Sequence, residues 1–460
     1  MDKTTNQLVD YTMEFQLANM SESALNATKD HLFDSIACAV VGSRTEPARI
    51  GAKIASIIHS DQPATVFGYG IKTSPEMAAF ANTGMIRTYD YNDGHDGGGA
   101  HASDMIAGSL AAGEAAHSSG MDVLGAIALS YELAGSLGIE GDPGRLGLDQ
   151  GTFQNVAVAL SVGKLWGLNR DQLGDAVSLA LVPNLPLGVS RWGDLSMMKG
   201  SATSFSTRNG VFAAMLAREG FTSAPEPFEG IYGFHHISGP FKVHLPMLSN
   251  KMSIEGSKTK YWPAEGNVQG LLDLVPSILE WTTVDEIDSI EVTVPEHFVI
   301  HLADEPKYDP QTRETADHSI PYMLMVALQD GTLTVDSYNP ERYLDPALRP
   351  LLRKVKVIGS DEYEKLFRAP SFLTDGYGPP RPARIKIWKS DGSMYENEVM
   401  YHKGHPTNPM DRDDFNTKLD LCSNELTSDN RELIREAWWN IENTSDIGEA
   451  MKTMTGFRKL

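Results

Sequence analysis

Apolar residues recur along the first half of the chain at the spacing of a buried helix face. Leu8, Tyr11 and Phe15 fall on one side. Beyond Ser21, a residue suited to capping a helix, Leu25, Leu32, Phe33, Ile36 and Val40 keep the same period. Ala-rich, small-residue stretches follow at 105–116, 123–137, 152–166 and 204–219, most of them bounded by Gly or by Ser, Asp or Asn. In the last of these, Phe205, Phe212, Met215 and Leu216 mark the expected core face, and Gly220 marks the end. Small side chains let helices approach closely, so the segment from Leu8 to about Leu245 predicts a compact multi-helix domain.

The pattern changes after Lys260. Ile290, Val292 and Val294 alternate with polar residues, as do Val355 and Val357. Ile385 and Ile387 precede Ser390-Asp391-Gly392, a hairpin signal leading into 394–399. Helical candidates at 267–281 and 320–328 lie among these strands, which predicts a smaller α+β domain over 263–404. From Asp411 helical periodicity returns. Leu419, Leu421, Leu433, Ile434 and Trp438 are expected to bury against the first domain. The fold class is therefore mainly α with a smaller α+β domain: 1–262 and 405–460 form an all-helical domain discontinuous in sequence, and 263–404 the α+β domain. No internal repeat or low-complexity tract interrupts this plan.

Composition narrows the function. Of 460 residues, 39 are Lys or Arg and 61 Asp or Glu, a formal charge of −22. A pI near 5.0 repels phosphate backbones and anionic lipid, so nucleic acid and membrane surfaces are poor partners. An anionic small molecule requires a local gathering of basic side chains. Hydrophobic residues at 41% and charged ones at 22% place the chain among folded globular proteins. Cys38 and Cys422 offer neither metal spacing nor a disulfide framework, which makes a reducing cytoplasm the default expectation. No apolar h-region opens the chain and no stretch approaches the ~18 apolar residues of a membrane span, so export and insertion are not expected.

The densest polar cluster runs from Asp90 to Asp104, with three consecutive glycines at 97–99. Such a run cannot propagate a helix cheaply, so this is a loop, and Ser103 is placed to cap the helix near Met105. A solvated surface loop is the plain reading. The functional one needs a base, and His101 has the unperturbed pKa, about 6.5, for proton transfer near neutrality, with Asp90 or Asp93 able to orient its ring. Phosphate binding is excluded, because no Lys-Ser/Thr follows the glycines and no strand precedes them. Metal binding by Asp93, His95, Asp96 and His101 is chemically possible but lacks diagnostic spacing, and no metal is assigned. Lys199 stands at the amino end of the helix 204–219. There it opposes the macrodipole by about 0.3–1 kcal/mol unless an anion offsets it. A lysine that snorkels to water is the alternative. Asp149-Gln150-Gly151-Thr152 reads as a turn and N-cap, and the segment 314–319, with His318, as a helix start before Pro321. No Gly-x-Ser-x-Gly or HExxH motif is present.

These segments, taken in order, resemble the MmgE/PrpD family of 2-methylcitrate dehydratases, cis-aconitate decarboxylases and iminodisuccinate epimerases. The resemblance is carried by residues 32–36, the 90–103 loop, 192–200, 207–214, 228–230, Lys260-Tyr261-Trp262-Pro263-Ala264-Glu265, 316–322 and Gly404-His405-Pro406, and covers nearly the whole chain. It implies a helical domain built from both chain ends, an α+β lid, a homodimer, an active site in the cleft between domains, and no metal or organic cofactor. By position, Asp90 and His101 match the family's loop aspartate and histidine, and Lys199 its active-site lysine, although the loop carries one extra residue before His101. Gly94 stands where decarboxylases have threonine, Gln150 near a histidine of many dehydratases, and Gln269 at a position that is histidine in dehydratases and decarboxylases.

Dehydration, decarboxylation and epimerisation of a di- or tricarboxylate share negative charge delocalised next to a carboxylate, which calls for a base and a cationic clamp. The expected catalytic residues are His101, oriented by Asp90, and Lys199, which binds carboxylate or donates a proton. Asp93, Tyr91, Gln150, Trp192, Lys260, Gln269 and His318 are the expected substrate contacts. The leading expectation is a cofactor-independent, 2-methylcitrate dehydratase-like lyase. An imino- or amino-dicarboxylate epimerase, a cis-aconitate decarboxylase-like enzyme, a carboxylate-binding protein without catalysis and a metal-dependent hydrolase are the rivals.

Overall fold

The computed structural model describes residues 1–96, 101–191, 196–248, 250–369 and 377–460. The chain divides into two compact units, one of residues 1–88, 92–257 and 412–460, the other of residues 89–91 and 258–411.

In the first unit the helix Glu22–Gly42 opens where the sequence places its cap: the Ser21 hydroxyl accepts from the Ala24 amide at 3.2 Å. Leu32, Phe33, Ile36 and Val40 are buried along it. The helices Pro75–Arg87, Ile106–Ala115, Gly120–Gly141, Gly151–Leu165 and Ala202–Arg218 build the core from the small-residue stretches. Against expectation, Gly120–Gly141 has the length and hydropathy of a membrane span, but 89% of its most apolar window is buried inside the protein, as befits a core helix.

The helix Ala202–Arg218 corrects a second expectation. Its inward face is small, with Thr203, Ser206, Thr207, Gly210, Val211, Ala214 and Ala217 buried, while Phe205 and Phe212 are 43% and 42% exposed. Close packing against Gly151–Leu165 is the reason: a Cβ on Gly210 would lie 2.6 Å from the Asn155 carbonyl oxygen. A face that close has no room for aromatics.

The helices Arg412–Cys422 and Ser428–Trp439 pack on this unit, as the returning periodicity predicts. Trp439 stacks on Phe33 with ring centroids 4.2 Å apart, and Lys418 Nζ reaches Asp34 Oδ1 at 2.6 Å, both groups fully buried. Leu419, Ile434 and Trp438 are buried, whereas Leu421 and Leu433 point outward. Nor is the unit entirely helical. A two-stranded antiparallel ladder, β1 (Ala64–Val66) and β2 (Ile71–Thr73), is tied to buried side chains, with Glu114 accepting from the Thr65 amide at 2.7 Å and Asn82 from the Phe67 amide at 2.9 Å.

The second unit holds a four-stranded mixed sheet of β3 (Ile287–Pro295), β4 (Val355–Ser360), β5 (Ala383–Lys389) and β6 (Met394–Val399) in the order β4-β3-β5-β6. β3 pairs parallel with β4, Val292 opposite Val357, and antiparallel with β5, Val292 opposite Ile385. The β5–β6 hairpin turns at Gly392, whose φ of +87° suits glycine. Alternation puts Ile385 and Ile387 in the core with Leu271, Ile278 and Met325. The predicted helix 267–281 is broken into Gln269–Asp273 and Val275–Trp281, where Pro276 removes an amide and restricts its predecessor. The helix Ile320–Asp330 starts at Ser319, whose hydroxyl accepts from the Tyr322 amide at 3.0 Å.

Candidate active site

His101 emerges between the helices Pro75–Arg87 and Ile106–Ala115, at the head of the short 3-10 turn Ala102–Met105. Residues 97–100 lie outside the description, but the segments on either side are anchored. Ser103 is drawn into the turn rather than capping the following helix. Its amide and hydroxyl both donate to Asp93 Oδ1, at 3.0 and 2.6 Å. The Tyr131 hydroxyl donates to Asp93 Oδ2 at 2.7 Å, and His31 Nδ1 lies 3.0 Å from the same oxygen. The Asp104 carbonyl accepts from Thr83 and Thr207 hydroxyls at 3.0 and 2.9 Å, fixing the far end of the turn.

His101 Nδ1 lies 2.5 Å from the main-chain oxygen of Asp93. A carbonyl only accepts, so Nδ1 carries a proton, and in the neutral form of the ring the lone pair falls on Nε2. That is the tautomer a general base needs. The orienting contact comes from a main-chain carbonyl rather than from a carboxylate. Gln154, buried in the first turns of Gly151–Leu165, donates to the His101 carbonyl at 2.9 Å.

Asp93 is corrected from substrate contact to scaffold: it is fully buried, and both oxygens are engaged by protein groups. Burial alone would raise its pKa, but His31 and the Ser103 and Tyr131 donors outweigh burial and hold it well below the usual carboxylate range. Burial likewise works against a charged His31, and Asp93 overcomes it, so the His31 pKa is raised. An imidazolium facing a carboxylate is the state both shifts describe.

Lys199 is 8% exposed in the turn before Ala202–Arg218, which excludes the fate of a lysine extended into water. Its carbonyl accepts from Arg191 Nη1 at 3.4 Å, and Arg191 Nε pairs with buried Asp149 at 2.7 Å. Asp149 in turn accepts from the Gly151 amide at 3.0 Å. The main chains of His101 and Lys199 are thus both tied to the amino end of Gly151–Leu165, one through Gln154 and the other through Arg191 and Asp149. A cavity of about 580 Å³ opens beside that helix end, lined by His95, Asp96, Asp149, Gln150 and Arg191 among others. Gln150 Nε2 is buried there with no hydrogen-bond partner among the described residues. Trp192 lies outside the described residues.

The second unit groups three more expected residues. Asp90 adopts φ +53°, a left-handed conformation uncommon for a side-chain-bearing residue. Lys260 Nζ donates to its carbonyl at 2.5 Å and to Oδ1 at 3.1 Å. His318 Nε2 lies 3.9 Å from Asp90 Oδ2, and its Nδ1 contacts Asp317 Oδ1. An imidazole between two carboxylates, beside a lysine, can hold and relay a proton. Tyr91 donates to the Tyr261 carbonyl at 2.7 Å, and so braces the lysine segment. Gln269 is corrected outright. It is buried, accepts from the Trp262 amide at 3.0 Å and donates to the Trp262 and Ala264 carbonyls at 2.9 and 3.0 Å, which leaves its amide to the turn and not to a ligand.

Sequence reasoning missed His31, Tyr131, Gln154 and Arg191. The first three sit inside helices that read as core, and the available signal was the burial of a polar atom on an apolar face, which must find a partner. Among the described residues no cluster of three or more His, Cys, Asp or Glu side chains is arranged to hold a metal ion.

Comparison with known proteins bears on this arrangement. Residues 6–243 match the MmgE/PrpD N-terminal domain and residues 262–442 the MmgE/PrpD C-terminal domain. The chain is similar to the cis-aconitate decarboxylase-like protein oryM of Aspergillus oryzae, with 24% identity covering 98% of this chain and 97% of the relative. It is 25% identical to a 2-methylcitrate dehydratase of Escherichia coli, over 88% of this chain and 86% of the relative. It is 23% identical to a cis-aconitate decarboxylase of Aspergillus terreus, over 98% and 95%.

Proposed function

The chain belongs to the MmgE/PrpD family, and from its enzymes of the lyase type we propose a cofactor-independent lyase of the 2-methylcitrate dehydratase kind, acting on a small di- or tricarboxylate. The observation that carries the reading is the His101 tautomer: an imidazole whose Nδ1–H is spent on the Asp93 carbonyl presents Nε2 as a base. In the reaction, Nε2 takes the proton from the carbon α to a carboxylate. The electron pair of that C–H bond becomes the new carbon–carbon double bond as the β-hydroxyl departs, and the hydroxyl takes a proton to leave as water. Lys199, buried in a strongly acidic protein, binds the carboxylate on which charge accumulates or supplies that proton.

A second reading, an epimerase of an imino- or amino-dicarboxylate, draws support from Gln150, which stands near a histidine of many dehydratases, since epimerisation has no departing hydroxyl to protonate. A decarboxylase of the cis-aconitate kind is the third. Incubating the protein with citrate, 2-methylcitrate, cis-aconitate and iminodisuccinate while following ultraviolet absorbance and product mass tests the reading. Appearance of an alkene with loss of water supports the dehydratase. Loss of carbon dioxide or inversion without change of mass assigns one of the alternatives, and no turnover of any acid overturns the lyase. We also propose a homodimer, supported by the outward Phe205 and Phe212, which sedimentation equilibrium tests.

A further inference from the structure

Asp93 serves His101 through one group and the rest of the fold through another. Its carbonyl fixes the ring, while its carboxylate, fully buried, gathers Ser103, Tyr131 and His31. Ser103 and Tyr131 offer only neutral dipoles. A buried carboxylate needs an opposite charge or takes up a proton, and once protonated it becomes a donor among hydroxyls already donating to it. His31, on the helix Glu22–Gly42 and 3.0 Å from Oδ2, is the group that can carry that charge. We propose that His31, held as an imidazolium against Asp93, is the positioning residue that fixes the tautomer of His101.

The chain of cause is short. Ser103 is two residues from His101, and both its donors end on Asp93 Oδ1. Any retreat of the carboxylate therefore moves the 101–103 turn and the 93 carbonyl relative to each other. The Nδ1 contact of 2.5 Å is then lost, and with it the preference for one tautomer. The groups facing His31 are Asp93, Asp34, Asp30 and the Tyr131 ring, whose centroid lies 5.6 Å from its own. Asp34 is already paired with Lys418 at 2.6 Å, and of these acids it is Asp93 whose carboxylate lies 3.0 Å from the His31 ring nitrogen. The consequence for catalysis rests on His101 acting as the base, but the tautomer itself does not.

The test is nitrogen NMR of the full-length protein labelled with ¹⁵N-histidine, with the His101 ring assigned by its disappearance in His101→Asn. The wild-type ring is expected to show one protonated and one lone-pair nitrogen near neutral pH. In His31→Gln the two resonances should move toward each other as the tautomers mix. In His31→Gln/Asp93→Asn, where neither partner is charged, the fixed pair should return. A mixed tautomer in the wild type, an unchanged His101 in folded His31→Gln, or a double variant still mixed each overturns the proposal. Should the single variant fail to fold, the wild-type spectrum followed upward in pH decides: the His101 pair should mix as the His31 ring gives up its proton, and a pair that stays fixed once the His31 ring is neutral overturns the proposal. A fixed tautomer that depends on His31, in a protein that turns over no acid, would leave this inference standing and defeat the lyase reading alone.

Discussion

The side chain of Gln269 is bonded to the main chain of Trp262 in both directions, its Oε1 accepting the amide at 3.0 Å and its Nε2 donating to the carbonyl at 2.9 Å. The position is one where the family's dehydratases and decarboxylases are expected to carry a histidine, so it invites a ligand role, but here it closes a turn. Gln269→Ala strands the buried main-chain groups of that turn at about 1–3 kcal/mol for each left unsatisfied. Chemical denaturation should show that loss, while the affinity of the folded variant for a carboxylate ligand changes less than about twofold. A tenfold loss of affinity at unchanged stability would return Gln269 to the binding site.

Lys418 and Asp34 form a buried ion pair joining the carboxy-terminal helices to the helix Glu22–Gly42. Lys418→Met leaves the acid alone and should cost about 3–5 kcal/mol, whereas Asp34→Leu/Lys418→Met should recover most of it. Equilibrium unfolding in urea measures both, and a double variant no better than the single contradicts the pairing argument.

Gly210 allows the helices Ala202–Arg218 and Gly151–Leu165 to touch. Since a Cβ there would lie 2.6 Å from the Asn155 oxygen and from Val158 Cβ, Gly210→Val should lower stability by at least about 2 kcal/mol. A melting temperature within a degree of wild type would show that the helices have room to separate.

In the second unit, burial first, and then the charges of Lys258 and Arg381, push the His405 imidazole down to about 3. His402 is held well below its ordinary value in the same way. The unfolded chain binds a proton at each near 6.5, and the folded chain does not. Their contribution to stability is therefore complete above that pH and is lost as pH falls toward 3, at about 1.4 kcal/mol per pH unit for each imidazole. Unfolding measured between about pH 7 and pH 5 should show His405→Asn losing less stability than wild type across that interval. Equal losses would place His405 in water.

Helix positions were legible where apolar periodicity and caps agree, as at Ser21 and Ser319, and strands where alternation met a turn glycine, as before Gly392. Which side of a helix faces inward was less so. Phe205 and Phe212 are the larger apolar residues, yet close approach at Gly210 gives the interior to Thr, Ser and Ala. For the candidate site, His101 and Lys199 are proposals made on residue type, because imidazole and ammonium chemistry is carried by it. Their supports, His31, Tyr131, Gln154 and Arg191, could not be named, because a buried partnership is a property of three-dimensional packing. For the same reason Asp93 and Gln269 read as ligands in sequence, although their polar atoms are already taken by the protein.

The central claim, that Nε2 of His101 takes a proton from the carbon next to a carboxylate, is met most directly by following that hydrogen in deuterated water by proton NMR. Wild-type protein incubated with an acid it turns over should release the α-hydrogen to solvent, seen either as an alkene product that lacks it or as recovered acid that carries deuterium in its place. His101→Asn, folded and with an unchanged melting temperature, should do so at least about 100-fold more slowly. Equal rates in the two proteins would contradict the account.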